Sequence, residues 1–540
     1  MAILRRARHA MGRRCVRLGG FALASVAALG ASVVAIPPPA QAGLFGSSEY
    51  IVSAPSGVLG TVVNAVGSVG ATVGTTFPFI NAVTTQLDPL EVTLLEAVPG
   101  IVVTPDITVN VQGSVNQSGH APSDAFLQQS GADDLSAQGI TGAGVNVAVL
   151  DTGIQALPDF SGRMVDGVDL SGNNNPWQDS YGHGTFVAGL IAGNGASSNG
   201  TYTGEAPGAG LVSVKVAGPS GQTDLANVIA GVGWTIANRS TDNISVLNMS
   251  LGYLPIESTV VDPLDQAVEN AWESGITVVT SAGNSGPGNG SVTSPGDDPL
   301  VITVGAVDDG AQAHPADDTM TTFSGVGPTN PDGWFKPDLV TSGRSVVSLR
   351  DPGSTIDAQN PSARVGSTNF VGSGTSFSAA VTSGAAALLL SADPSYTPNT
   401  VKGTLLGTTM PGPVGNPFVD GHGILSADGA VSSAPMTLNQ PVPTIVTQIG
   451  QTIDLEAAGA MSSWNPDNWT GSHWNGSHWN GSTWNGSHWN GSTWNGSTWN
   501  GSAWNGSTWN GSHWNGSTWN GSTWNGSTWN GSHWNGSTWN

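Results

Sequence analysis

Asn146-Val147-Ala148-Val149-Leu150-Asp151-Thr152-Gly153 is an apolar run that stops on a carboxylate and a turn. Four apolar residues in a row leave no polar face, so this strand is expected to be covered on both sides, as in parallel sheets. The arrangement recurs downstream. Gly210 to Val216, Ser245 to Met249, Thr277 to Thr280 and Leu300 to Val304 read as strands, with helical stretches at His183 to Ala192, Leu225 to Asn238, Asp262 to Ser274 and Ser376 to Leu390. Strands alternating with helices predict an α/β fold over residues 123–433, a parallel sheet covered by helices on both faces. Ligands of such sheets bind beyond the carboxyl ends of the strands, which puts Asp151 on the functional side.

Four short segments carry chemistry, and each alone has a plainer reading. Asp151 could cap the turn that follows it. His183 sits between two glycines in Gly182-His183-Gly184-Thr185, where backbone and substrate can approach the imidazole closely; a single histidine is more often structural. Ser376, in Gly374-Thr375-Ser376, opens a helix of small residues, where backbone N–H groups favour developing negative charge but where a plain N-cap is equally at home. Asn284, in Ala282-Gly283-Asn284, is a turn former whose side-chain N–H could also face an oxyanion. His422, in a similar Asp420-Gly421-His422-Gly423 setting, lacks the small-residue helix behind it and reads as a turn residue.

In combination the four are specific. His183 follows Asp151 by 32 residues and Ser376 follows His183 by 193, and the order D-T-G, G-H-G-T, A-G-N, G-T-S resembles the subtilisin-like serine protease family. Asp-His-Ser order separates it from chymotrypsin-like enzymes and from α/β-hydrolases. Further segments agree, among them Gly204-Glu205-Ala206-Pro207-Gly208 and Lys336-Pro337-Asp338. The resemblance spans about 300 residues. It implies a serine endopeptidase with Asp151, His183 and Ser376 as the catalytic triad and Asn284 in the oxyanion hole. Substrate would lie beside Ser250, Leu251 and Gly252, with Gly218 to Gly221 opposite. A primary pocket bordered by Ala282, Gly283 and Leu251 implies apolar preference. Two positions depart from the pattern: Phe186 stands where many members have a second histidine, and Ala380 where proline is common. Both predict altered packing, not lost activity. No metal enters the chemistry, and the loop from Asn194 to Gly204 gives no assignable ligands for structural calcium.

Outside this region the chain is not uniform. Six arginines up to Arg17, an apolar stretch from Gly19 to Ile36 and Ala40-Gln41-Ala42 read as a secretory signal over residues 1–42, predicting a secreted, extracellular protein with no membrane span once the signal is removed. Removing it leaves 8 basic against 37 acidic residues, a formal charge of −29. So acidic a surface argues against nucleic acid or anionic lipid as partner. The only cysteine, Cys15, leaves with the signal, so no disulfide can form afterwards. Residues 43–122 read as a small α/β unit that resembles the family's inhibitory propeptide, with Tyr50-Ile51-Val52 as first strand and Pro99-Gly100-Ile101 introducing the last. Gly113 to Asp124 is a turn-rich segment suited to cleavage. Residues 434–463 are a linker, and residues 464–540 repeat W-N-G-S-[TH], holding 16 of the 20 tryptophans.

A five-residue step matches neither a helix face nor strand alternation, and no packed core follows from it. Two readings of the tail stay open: exposed indoles that stack on cell-wall polysaccharide, and a plain secreted tail. The expected partners are thus protein or peptide substrates, the chain's own propeptide as inhibitor, and a tail ligand. Two rivals from other classes are an inactive protease fold serving as a scaffold and a surface-binding protein acting through its tryptophans. Both leave the joint presence of Asp151, His183, Ser376 and Asn284 without a reason.

Overall fold

The computed structural model describes residues 47–111, 113 and 122–438, and in the tail the backbone of sixteen two-residue strands from Ser463–Trp464 to Thr538–Trp539. The signal, Cys15, residues 114–121 of the cleavable segment and the spacer 439–462 lie outside the described residues.

The first unit comprises β1 (Ser48–Ser53), α1 (Leu59–Val69), β2 (Val73–Phe77), β3 (Ala82–Leu87), α2 (Pro89–Glu96) and β4 (Val102–Pro105), and its antiparallel sheet runs β2-β3-β1-β4. Alternation along β1 sorts its two faces. Val52 joins Val62, Val66, Val83 and Leu95 in the unit's own core, while Ile51, with Phe77 and Ile80, joins the main core of the chain. α2 starts on a reciprocal cap, Asp88 accepting from the Leu90 and Glu91 amides and Glu91 from the Asp88 amide. β5 (Thr108–Val111) follows at once, but it leaves this sheet and pairs elsewhere.

The second unit contains α3 (Phe126–Ser130), α4 (Ala132–Ala137), β6 (Asn146–Asp151), β7 (Met164–Asp169), α5 (His183–Ala192), β8 (Gly210–Lys215), β9 (Gln222–Asp224), α6 (Leu225–Asn238), β10 (Ile244–Met249), β11 (Leu251–Gly252), α7 (Pro263–Glu273), β12 (Thr277–Ser281), β13 (Ile302–Asp308), β14 (Thr319–Met320) and β15 (Leu339–Ser342). It ends with β16 (Val346–Leu349), α8 (Thr355–Gln359), β17 (Arg364–Val365), β18 (Asn369–Gly372), α9 (Thr375–Ala392), α10 (Pro398–Gly407) and α11 (Ala427–Ser432). β14-β13-β12-β10-β6-β8-β7 form one sheet, with β15 also on β13, and every pairing except that of β14 is parallel. β6 lies in its middle with Val147 to Leu150 fully buried. Successive side chains point to opposite faces: Leu150 packs at Gly231 of α6, and Asp151 at Gly184 of α5. Helices therefore cover both sides, as expected. α9 is long and apolar enough to cross a membrane, but it is buried as the core helix of the fold. One strand is displaced from expectation: Leu300 and Val301 precede β13, because Asp298 caps their amides and holds them in a turn.

The tail departs further from the sequence reading. Each two-residue strand pairs in parallel with the one twenty residues on, Trp464 with Trp484 and Trp519 with Trp539, giving four sheets of four strands. The pairing interval of twenty residues spans four five-residue repeats, so the regularity appears only after four repeats are summed.

Candidate active site

Asp151 is the last residue of β6 and His183 the first of α5. Gly182 precedes the histidine with φ of 103°, a left-handed conformation that glycine adopts without strain and that turns the chain into the helix. His183 Nδ1 lies 2.9 Å from both Asp151 oxygens, and both side chains are buried. The Thr152 amide also donates to Asp151 Oδ1, at 2.7 Å. A carboxylate on Nδ1 selects the tautomer whose Nε2 carries a lone pair. His183 Nε2 is buried and makes no hydrogen bond among the described residues, so the ring is arranged to accept a proton there. Ser376 is the second residue of α9, and its Oγ donates to the Ser250 carbonyl at 3.2 Å. Ser250 is tied back by its own hydroxyl to the Ser376 carbonyl, and Asn248 Nδ2 donates to Ser250 Oγ.

Asn284 follows β12, and its Oδ1 accepts from both the amide and the hydroxyl of Thr375, each at 3.0 Å. With the carbonyl end of the side chain spent on the start of α9, the Nδ2 end is the donor available to a ligand. Thr375 Oγ1 in turn accepts from the Gly283 amide. The structure thus gathers Asp151, His183, Ser376 and Asn284 at strand ends and helix starts on one rim of the sheet.

Sequence reasoning passed over the group that braces this arrangement. Asp179 is fully buried and accepts from Thr152 Oγ1 (2.7 Å), Tyr181 N (3.2 Å), Gly182 N (2.7 Å), Thr185 N (2.8 Å) and Thr185 Oγ1 (2.7 Å). Thr152 Oγ1 also accepts from the Gly184 amide. One carboxylate thereby joins the turn after Asp151 to the start of the helix carrying His183. Burial pushes its carboxyl upward while the hydrogen bonds oppose that shift. The available signal was an acid four residues ahead of the histidine with no base nearby in sequence.

A strand occupies the groove beside the serine. β5 pairs antiparallel with β11 on one edge, Leu251 opposite Val111 and Gly252 opposite Asn110, and with β9 on the other, from Thr108 opposite Asp224 to Asn110 opposite Gln222. The Val111 amide donates to the Gly221 carbonyl at 3.2 Å. Leu251 and Gly252 therefore line one wall, directly after Ser250, while the opposite wall is mainly β9, with Gly221 at its start. Val109 is fully buried in this slot. Beyond Val111 the chain reaches Gly113, where an added Cβ would lie 3.0 Å from His183 Nε2. Ala282 and Gly283 are buried behind the cleft, and between Gly283 and Gly252 stands Thr293, which the sequence reading missed. Its Oγ1 would be 2.9 Å from a Cβ on either glycine and has no hydrogen-bond partner among the described residues.

Among the described residues no three His, Cys, Asp or Glu side chains are grouped to hold a metal ion. Beside the Asn194 to Gly204 loop, Asp159 Oδ2 accepts from the Ser197 amide and hydroxyl and the Asp159 carbonyl accepts from Arg163, while Asp159 Oδ1 is buried with no hydrogen-bond partner among the described residues. His422 donates its amide to Asp338, within a turn.

Residues 142–432 match the subtilase family, peptidase family S8. The chain is similar to serine protease AprX of Bacillus subtilis, 43% identical over 299 residues that cover 54% of this chain and 67% of that one. It is also similar to subtilisin NAT of Bacillus subtilis subsp. natto, 33% identical over 365 residues, 67% of this chain and 83% of that one. Among solved structures, fervidolysin from Fervidobacterium pennivorans, described as a keratinolytic enzyme related to subtilisin, superposes with a TM-score of 0.56 at 22% identity, covering 74% of this chain and 62% of its own length. That likeness concerns the fold alone. With the family matched over more than half of its length, the chain belongs to the subtilases, the subtilisin-like serine-type endopeptidases.

Proposed function

We propose that the chain is a secreted endopeptidase made as a self-processing zymogen, with Ser376 as nucleophile, His183 as general base and then acid, Asp151 as its orienting carboxylate, and Asn284 Nδ2 with the Ser376 amide as oxyanion donors. The observation that carries this reading is β5 lying in the groove between β9 and β11 and running on to Gly113 beside His183 Nε2. Ser376 Oγ attacks the peptide carbonyl as His183 Nε2 takes its proton. The tetrahedral oxyanion forms against Asn284, the leaving amine takes the proton from His183, and water releases the acyl-enzyme by the same steps in reverse. Loss of a side-chain oxyanion donor costs about 10² to 10³ in turnover, a value measured in the subtilisin family itself.

Residues 1–42 then serve export, residues 43–112 act as inhibitor, and the bond cut on maturation is Gln112–Gly113. This lies ten residues ahead of the domain boundary at 123 read from the sequence. The substrates are unfolded proteins and peptides that pair as β5 does. For the tail, cell-wall polysaccharide remains the candidate ligand, tested by pulldown on insoluble polysaccharide with and without residues 464–540.

The deciding experiment is casein hydrolysis by wild type and Ser376→Ala, with intact-mass analysis of each. Wild type is expected to cleave casein and to begin at Gly113, while the variant does neither. Folded wild type, freed of residues 43–112 and inert toward every unfolded protein, would sink the reading and return attention to the scaffold and tail alternatives.

A further inference from the structure

Gly113 points to a restriction on the leaving-group side of the cleft. A Cβ placed on it would lie 3.0 Å from His183 Nε2, 3.0 Å from Phe377 Cζ and 3.4 Å from His183 Cδ2. Carbon contacts are most favourable at about 3.5–4.0 Å, so an alanine there must displace one of its neighbours. Neither can retreat easily. His183 is fixed through Nδ1 by Asp151. The Phe377 ring is buried with the Phe186 ring 4.4 Å from it, centre to centre, and it packs so closely on β18 that a Cβ on Gly372 would come within 2.7 Å of its Cε2. Phe186 holds the position where many relatives were expected to carry histidine, and its ring supplies this contact.

We propose that Phe377, held in place by Phe186, makes the enzyme select substrates with glycine immediately after the scissile bond. The inference rests on the Gln112–Gly113 reading above and adds a substrate class to it: extended peptides cut before glycine. Phe377 acts by excluding side chains, and Phe186 positions it. Both act on the residue whose amine departs, so the effect falls on which bond is cut, with the chemistry at Ser376 unchanged.

The test uses the mature enzyme and internally quenched peptides Thr-Val-Asn-Val-Gln-Xaa-Ser, with Xaa as Gly, Ala, Val or Leu, and active sites counted by a burst titrant. Wild type is expected to lose about tenfold in kcat/KM from Gly to Ala and about a hundredfold from Gly to Val, the scale of a small misplacement of the reacting bond. In Phe377→Ala the Gly-to-Ala ratio should approach one. Phe186→Leu, which keeps a buried apolar residue, should reduce the ratio part of the way and stands in if Phe377→Ala does not fold. Equal cleavage of all four peptides by wild type, or a ratio unchanged in the variants, overturns this inference alone. Cleavage of none by folded, titrated enzyme overturns the endopeptidase reading with it.

Discussion

Asp179 and a cluster of buried acids around α7 meet burial in different ways. Asp179 has both oxygens filled, by five donors from four residues. Around α7, Asp265 Oδ2, Glu269 Oε1, Asp297 Oδ1 and Asp298 Oδ2 have no hydrogen-bond partner among the described residues. Only part of that cluster is served: Tyr253 and the Leu264 and Asp265 amides donate to Asp262, Ser294 donates to Asp265 at 3.3 Å, and the Leu300 and Val301 amides donate to the other oxygen of Asp298. Burial, followed by mutual repulsion, pushes Asp265, Glu269 and Asp297 well above the usual carboxylate range. Burial also lifts Asp298 to about 6, against the pull of Lys336 and Lys402, and raises Asp262, which faces Asp332 as well. A buried acid can be accommodated by donors or by a proton. The first solution makes a brace whose donors hold the upward shift in check; the second leaves the carboxyls shifted well above the usual range, so that stability depends more strongly on pH.

The largest effect should follow from removing the brace. Asp179→Ala leaves the Gly182 and Thr185 amides and the Thr152 hydroxyl without an acceptor, which should cost about 3 kcal/mol or more in urea unfolding and about 10² in kcat by loosening Asp151 from His183. Unchanged kcat and unchanged urea midpoint would mean the two sets differ in appearance only. The second effect is the pH dependence of the cluster. Carboxyls whose folded pKa exceeds the unfolded value contribute stability that is complete below about pH 4 and is lost as pH rises through the folded pKa. For Asp298 the shift from 3.8 to about 6 corresponds to about 3 kcal/mol. In a Ser376→Ala background, the thermal midpoint should fall between pH 5 and pH 9, and Asp297→Asn should flatten that fall. A midpoint equal at both pH values breaks the contrast.

The smallest effect has the reverse sign and sharpens it. Asp357, gripped by Arg350 at 2.6 and 2.8 Å and by Arg364 at 2.7 Å, is held well below the usual range, chiefly by the Arg350 hydrogen bonds. Its support is present above about pH 4 and is lost as pH falls through the depressed folded value. Arg350→Gln should therefore cost roughly 1 kcal/mol at neutral pH and less under strong acid. A loss that grows on acidification would contradict the assignment.

Most of the fold was legible because it rests on local periodicity. His183–Ala192 and Leu225–Asn238 form helices over the residues expected, since apolar spacing and the Asp224 cap mark their bounds. The positions of Asp151, His183, Ser376 and Asn284 were legible from glycine-flanked motifs at strand and helix ends. Asp179 and Thr293 were not, because a side chain's partners across the fold leave no periodic trace. The proposed maturation bond could be confined by the sequence only to a segment, since nothing in a Gly- and Ser-rich run distinguishes one peptide bond from the next. The twenty-residue pairing interval of the tail strands escaped notice because neither a two- nor a 3.6-residue period contains it.

The three-stranded arrangement β11-β5-β9 has a consequence for what the enzyme can attack. On the zymogen reading proposed above, the slot vacated by β5 would be bounded by two strand edges one strand apart, and only a segment with both of its own edges unsatisfied could fill it. A strand inside a native sheet has spent those groups on its neighbours, and a helix has spent them on itself. Such a groove would sense conformation before it reads sequence. It would admit a stretch that has lost its partners, so a protein would report its own unfolding by becoming digestible.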